Sequence, residues 1–268
     1  MPIITLVTDF GTQDYFVGAM KGVILSQNPA AVIVDITHEV PPQDIHAAAF
    51  NLLATYKDFP AGTIHLAVVD PGVGSSRRPI LVECARQMFV GPDNGLFSWI
   101  CQREARFLAR HLTNEKFFKH PQSATFHGRD VFAPVAAALS RGVSAEEFGP
   151  LIDDAIVLES LTPRANEDGT LAAVIIHIDR FGNCITNLTT KHLTCEVDRR
   201  VRLTVNNHVI TSIREYFSAE ADDSESLFMI PGSAGFVEIA AQNSSAAAIL
   251  KVRRGQSITL QTGAAGAK

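Results

Sequence analysis

At 268 residues, the chain has room for one large domain or for two, each with an ample core. A hydrophobic fraction of 46% and a charged fraction of 19% are those of an ordinary globular protein. The formal net charge of -5 offers no basic footprint for nucleic acid. No apolar stretch approaches the length of a membrane span, and the start lacks the basic region and cleavage site of a signal peptide. The four cysteines, Cys84, Cys101, Cys184 and Cys195, form no Cys-x-x-Cys pair and have no close histidine partner, so a cytoplasmic, reduced protein is expected.

Ile3 to Val7 is an apolar run that breaks at Thr8-Asp9-Phe10-Gly11, after which Phe16, Val17, Met20, Val23 and Ile24 recur at helical spacing. Ala31 to Ile36 is a continuous β-branched run, the pattern of a strand buried on both faces. It ends in Thr37-His38-Glu39, and a helical stretch follows from Asp44 to about Tyr56. Thr63 to Val69 is a third strand, leading into Asp70-Pro71-Gly72-Val73-Gly74 and the arginines Arg77 and Arg78. Pro79 to Val82 and Met88 to Val90 read as two strands joined by a short turn, and Gly91-Pro92-Asp93-Asn94-Gly95 leads into a helical pattern from Leu96. Phe126-His127-Gly128-Arg129-Asp130 precedes the Ala-rich segment Val131 to Leu139, a helix with Pro134 in its first turns.

This alternation predicts an α/β N-terminal domain with a mainly parallel sheet over 1–158. The polar stretch 159–170 reads as a linker. Beyond it, Leu171 to Ile178, Val201 to Val205, Val209 to Ile213, Leu227 to Ile230, Phe236 to Ala240 and Ile258 to Leu260 are short strands, with a hairpin-like turn at Asn206-Asn207. They predict a smaller all-β, barrel-like C-terminal domain over 171–268 that ends in a frayed tail from Ala264.

Strand ends carry the chemistry-bearing residues. Asp70 closes a buried run beside a glycine turn, where α/β folds open a crevice; the alternative is a turn cap with solvated arginines. Asp9 suits ribose hydroxyls, and Asp9 with Asp14 could hold a divalent metal, while Asp14 could equally be a helix N-cap. His127 is either a structural histidine or a site residue beside an accessible backbone. Asp179-Arg180-Phe181-Gly182-Asn183 combines a carboxylate, an aromatic face and an amide, the groups that stack on a flat base and read its edge, although a plain strand connection would look the same.

In this order and spacing, Thr8-Asp9-Phe10-Gly11, Val69 to Gly74, Gly91 to Gly95, Phe126 to Asp130 and Asp179 to Asn183 resemble the S-adenosyl-L-methionine hydroxide adenosyltransferase family, which also contains the fluorinase and chlorinase. The resemblance covers essentially the whole chain. It implies hydrolysis of S-adenosyl-L-methionine to adenosine and methionine without a cofactor, in a homotrimer with the ligand between neighbouring subunits. By the resemblance, Asp70, Arg77 and His127 are the catalytic set of the water-using branch, and Asp9 and Asn94 serve the ribose. Asp14 and Asp179 meet the methionine amino group, Phe181 and Asn183 serve the adenine, and Ser233 meets the methionine carboxylate. Tyr216 and Glu238 are further substrate contacts in the less motif-rich half. Gly128 stands where the halogenases have serine, Asp70 where they have a neutral residue, and their extra loop after the third strand is missing, which favours water over halide. A halide-using enzyme and a non-catalytic sensor of S-adenosylmethionine or adenosine are the competing readings.

Overall fold

A computed structural model describes residues 1–104, 106–193, 201–217 and 227–262. Cys195, the Arg199-Arg200 pair and the tail from Ala264 lie outside the described residues. The chain divides into two compact units, Met1–Ser160 and Leu161–Lys268. Among the described residues no helix is long and apolar enough to cross a membrane.

The first unit is built on a seven-stranded sheet. Its strands are β1 (Ile3–Thr8), β2 (Val32–Thr37), β3 (Ile64–Val68), β4 (Pro79–Cys84), β5 (Gln87–Pro92), β6 (Phe107–His111) and β7 (Leu151–Ile152), in the order β2-β1-β3-β5-β4-β6-β7. β2, β1, β3 and β5 run parallel to their neighbours. From β5 onward, β4, β6 and β7 continue the sheet antiparallel. The sheet is therefore mixed, with a parallel half and an antiparallel half. The switch is made by the two-residue Ala85-Arg86 link, whose φ values of 52° and 61° match the tight hairpin turn that joins antiparallel neighbours.

Helices α1 (Phe16–Gln27), α2 (Ile45–Thr55), α3 (Ser98–Glu104) and α4 (Ala133–Ser140) cover this sheet. Period-2 alternation sends Ile4 and Leu6 of β1 to one face, where they share a core with Met20 and Ile24 of α1 and Val135 and Ala136 of α4. The intervening Thr5 points the other way and bonds His65, at 2.7 Å. α2 starts at Asp44, whose carboxylate accepts from the Ala47 N–H at 3.0 Å. Pro134 sits in the first turn of α4, where its missing N–H costs nothing. β2 departs from the sequence expectation. It is the edge strand, and none of its residues is buried, because strand order rather than local composition decides which run is central.

The second unit is an eight-stranded sheet formed by β8 (Arg164–Ala165), β9 (Leu171–Ile178), β10 (Cys184–Thr189), β11 (Val201–Val205), β12 (His208–Ile210), β13 (Leu227–Pro231), β14 (Phe236–Ala241) and β15 (Ser257–Thr262). Their order is β12-β11-β15-β9-β10-β14-β13, with β8 beside β9. The chain just after β12 bonds back to β13, Met229 N to Ser212 O at 2.8 Å and Arg214 N to Met229 O at 2.9 Å, so the sheet is a nearly closed barrel. Ile175, Leu188, Leu203, Met229, Ile239 and Leu260 fill it. One short helix, α5 (Ala246–Leu250), follows β14.

Candidate active site

Six of the predicted site residues lie in the first unit, and three of them form one hydrogen-bonded cluster. Asp70 follows β3 at the carboxyl end of the parallel half. Arg77, seven residues on, grips it with two parallel bonds: Nε donates to Oδ1 at 2.8 Å and Nη2 donates to Oδ2. The side chains of Asp70 and Arg77 are 5% and 8% exposed. The guanidinium also lies 5.1 Å from the centre of the Phe132 ring. Nη1 is buried and has no hydrogen-bond partner among the described residues.

The loop that carries this pair leans on the loop that carries His127. Gly74, at φ +77°, packs so closely on the Ala124 carbonyl that an added Cβ would fall 2.5 Å from its oxygen. His127 then precedes a single π-helical turn, Gly128–Phe132, which runs into α4. Its Nδ1 lies 2.9 Å from Arg77 Nη2. A guanidinium has only donors, so Nδ1 is the acceptor. Burial and the Arg77 charge push the His127 pKa down against the opposing pull of Asp70 and Asp130. With Nδ1 accepting, the neutral ring carries its proton on Nε2, which lies 3.1 Å from Gln122 Nε2; turned by 180°, the amide presents its oxygen to that N–H. Both nitrogens of His127 are thus committed. Asp70, with two lone pairs per oxygen, retains acceptor capacity.

Around the cluster, Asp9 accepts from Gln43 N at 2.8 Å. Gln43 adopts φ 65° to present that N–H. Phe10, Tyr15, Phe16 and Phe126 form an aromatic group over the start of α1, with Phe16 and Phe126 edge to face at 5.1 Å. Asp14 is exposed and is not the cap of α1; that position is held by Tyr15, with no side-chain capping bond. Asn94 donates to Val69 O at 2.9 Å and accepts from Leu96 N at 3.3 Å, so it braces the residue before Asp70. Arg78 is held by ion pairs rather than left free in solvent. It bonds buried Asp93 through Nε at 2.9 Å and Nη2 at 2.7 Å, and Asp154 through Nη1 at 2.7 Å. Asp93 also accepts from Ile156 N at 2.8 Å, which ties the strap at 154–156 to the β4–β5 hairpin.

The other six residues lie in the second unit. Asp179 organises its own turn: Oδ1 accepts from Phe181 N at 2.9 Å and Asn183 N at 2.8 Å, and Oδ2 accepts from Asn183 Nδ2 at 2.9 Å. The turn holds Phe181 78% exposed. Phe181, Asn183, Phe217 and the 241–245 segment line a recess of about 730 Å³. Glu238, on β14, lies against Gly232, and burial together with the nearby Asp179 charge raises its pKa. Ser233 and Tyr216 are exposed. Phe217, Gln242 and Asn243 of the recess escaped the sequence reading; the polar Gln242-Asn243-Ser244-Ser245 run after an apolar strand was the available signal. Gln122 escaped it too and carried no such signal. Among the described residues no group of three or more His, Cys, Asp or Glu side chains converges as a metal-ligand set.

The profile of the SAM hydroxide adenosyltransferase N-terminal domain matches residues 4–149, and that of the SAM hydroxide adenosyltransferase C-terminal domain matches residues 173–259. The chain belongs to the S-adenosyl-L-methionine hydroxide adenosyltransferase family. Within this family it is 36% identical over 264 residues to the (R)-S-adenosyl-L-methionine hydrolase of Salinispora arenicola, covering 98% of each chain. It is 34% identical over 262 residues to that of Methanocaldococcus jannaschii, covering 94% of this chain and 93% of the relative. The fluorinase of an Actinoplanes species is more distant, 26% identical over 213 residues and covering 70% of this chain and 72% of its own. A crystal structure of an uncharacterised conserved protein from Thermotoga maritima superposes with a TM-score of 0.87 at 36% identity, covering 96% of this chain and 99% of that one.

Proposed function

We propose that this protein hydrolyses S-adenosyl-L-methionine to adenosine and L-methionine by attack of water on the ribose 5′ carbon, with Asp70, Arg77 and His127 as the catalytic set. One observation carries the reading: the buried Asp70–Arg77 pair bonded to a His127 acceptor, in a chain whose 34–36% identical relatives bear the name (R)-S-adenosyl-L-methionine hydrolase. The sulfonium is its own leaving group and departs as a neutral thioether, so the reaction needs neither an acid at sulfur nor a cofactor. The demand falls on water, whose pKa is about 15.7.

Water forms the new C5′–O bond as the C5′–S electrons return to sulfur. Its proton passes to Asp70 and from there to solvent, because neither nitrogen of His127 has a lone pair to spare. Arg77 holds the carboxylate in place and offers Nη1 to the reacting oxygen, and His127 fixes the guanidinium by accepting from Nη2. Asp9 and Asn94 serve the ribose, and Asp14 and Asp179 the amino group. Phe181 and Asn183 serve the adenine at the recess they line, with Tyr216, Ser233 and Glu238 as further contacts. The exposed aromatic surfaces of Tyr15, Phe181 and Tyr216 suit a homotrimer with substrate between subunits, and free Cys84, Cys101 and Cys184 suit the cytoplasm. Light scattering on the purified protein tests the trimer.

The decisive experiment incubates the protein with S-adenosyl-L-methionine in ¹⁸O-water, with and without chloride. Adenosine labelled at the 5′ oxygen, together with unlabelled methionine, is the expected result. Chlorodeoxyadenosine would replace this reading by a halogenase, and binding without any product would replace it by a sensor.

A further inference from the structure

We infer that His38 is a positioning residue for the ribose site: it forms a relay, running from exposed Asp35 to buried Thr8, that holds the Asp9 loop in its binding conformation. The inference rests on the proposed ribose role of Asp9. Thr8 ends β1 fully buried, and His38, just past β2, is 5% exposed. Thr8 Oγ1 and His38 Nδ1 are 2.8 Å apart. On the far side of the ring, Nε2 lies 3.1 Å from Asp35 Oδ1, and Asp35 in turn accepts from Lys21 Nζ at 2.6 Å. The Asp35 contact has the length of an ion pair without the alignment of a hydrogen bond, so Nε2 takes no full bond there.

The relay has a direction. The Asp35 carboxylate keeps the ring proton at Nε2, which leaves Nδ1 to accept from the Thr8 hydroxyl. The hydroxyl oxygen then accepts from Phe10 N at 3.3 Å. Three further bonds join the same two segments: Gly11 N to His38 O at 2.8 Å, Val40 N to Thr8 O at 3.4 Å, and Gln43 N to Asp9 Oδ2 at 2.8 Å. The chain from 38 to 43 is thus tied to the Thr8–Gly11 loop at three points, one of them the Asp9 carboxylate itself, whose other oxygen takes no part in these bonds. Gln43 makes its bond to Asp9 from the left-handed region, at φ 65°, a conformation that a non-glycine residue resists.

Thr8→Val keeps the side-chain shape and removes the hydroxyl, whereas Thr8→Ser keeps the hydroxyl. Steady-state hydrolysis and adenosine binding are measured for both and for Asp9→Asn. Losing one buried hydrogen bond predicts a rise of about tenfold in KM and in the adenosine Kd for Thr8→Val, with kcat within about threefold of wild type and Thr8→Ser restoring both. An unchanged KM in Thr8→Val, alongside a raised KM in Asp9→Asn, overturns the inference and leaves the ribose reading standing. An unchanged KM in Asp9→Asn overturns the ribose reading itself. If Thr8→Val does not fold, His38→Asn and His38→Gln decide: Asn reproduces the Nδ1 contact with Thr8 and should keep KM, Gln reproduces only the Nε2 end and should raise it, and equal KM values reject the relay.

Discussion

In the proposed reaction, Asp70, Arg77 and His127 divide the labour of activating water according to which atoms have lone pairs left. Asp70→Asn should lower kcat by about 10²–10⁴, the usual worth of a positioned base, while adenosine still binds with near wild-type Kd. Wild-type turnover in that variant would remove Asp70 from the chemistry. With His127 in the catalytic set, its depressed pKa should set the acid limb of the rate profile. Below its ordinary value of about 6.5 the ring remains neutral for a further interval, and then protonation puts an N–H on Nδ1 opposite the Arg77 donor. The rate should be flat above pH 6.5 and fall only at lower pH, as measured by kcat across pH 5–8; His127→Asn, which still offers Arg77 an acceptor, should lose that limb. Among single residues, Asp70 stood out in the sequence because it closes an apolar strand run beside a glycine turn, whereas His127 stayed open between a structural and a site role until the resemblance entered. Arg78 was not legible: its fate depends on Asp93 and Asp154, and Asp154 is remote in sequence but adjacent in the fold.

Two loops, not two strands, bring the cluster together, and they pack tightly at Gly74. Gly74→Ala would drive a Cβ toward the Ala124 oxygen and force a backbone at φ +77° on a residue that resists it. Such strain costs about 1–3 kcal/mol, so the variant should unfold at lower urea and lose kcat as Asp70 and Arg77 part from His127. A kcat and a urea midpoint like those of wild type would show the contact to be slack. The elements themselves were mostly readable. Apolar runs bounded by turn formers gave β1, β3, β9 and β14 nearly to the residue, and Pro134 marked the start of α4. β10 was missed because buried Thr186 and Asn187 interrupt its apolar pattern, each satisfied by a distant backbone group: Thr186 donates to Val237 O at 2.8 Å, and Asn187 accepts from Val174 N at 2.8 Å. The π turn at Gly128–Phe132 has no periodic signature at all.

Across the first unit, the parallel half of the sheet supplies the predicted site loops after β1 and β3, while the antiparallel half widens the base. The direction of that second half was readable in principle, because a two-residue link such as Ala85-Arg86 cannot join parallel strands. The edge position of β2 was not, since crossover order leaves no mark on a local run. Stability has its own titration. Burial lowers the His65 pKa to about 4, against a weaker opposing contact from Gln87. An unfolded chain binds that proton at about pH 6.5, so the folded state is unpenalised above 6.5 and loses stability as pH falls from there to about 4. At roughly 1.4 kcal/mol per pKa unit, the loss approaches about 3 kcal/mol. Urea unfolding at pH 7.5 and at pH 4.5 should show it, and His65→Asn should flatten the difference; an equal slope in both proteins would assign acid sensitivity elsewhere.

Ionic strength separates the two kinds of carboxylate in this protein. Salt screens charges through the water between them, over about 8 Å at physiological concentration. The Asp70–Arg77 pair, with side chains 5% and 8% exposed and in direct contact, leaves no room for salt to screen it, whereas Asp14 stands in solvent. Raising salt from about 0.1 to about 1 M should therefore leave kcat unchanged and raise KM, as the pull of exposed acids on a cationic substrate is screened. A rate constant indifferent to chloride would be the kinetic mark of a site whose nucleophile, water, sits beside an anion of the protein's own.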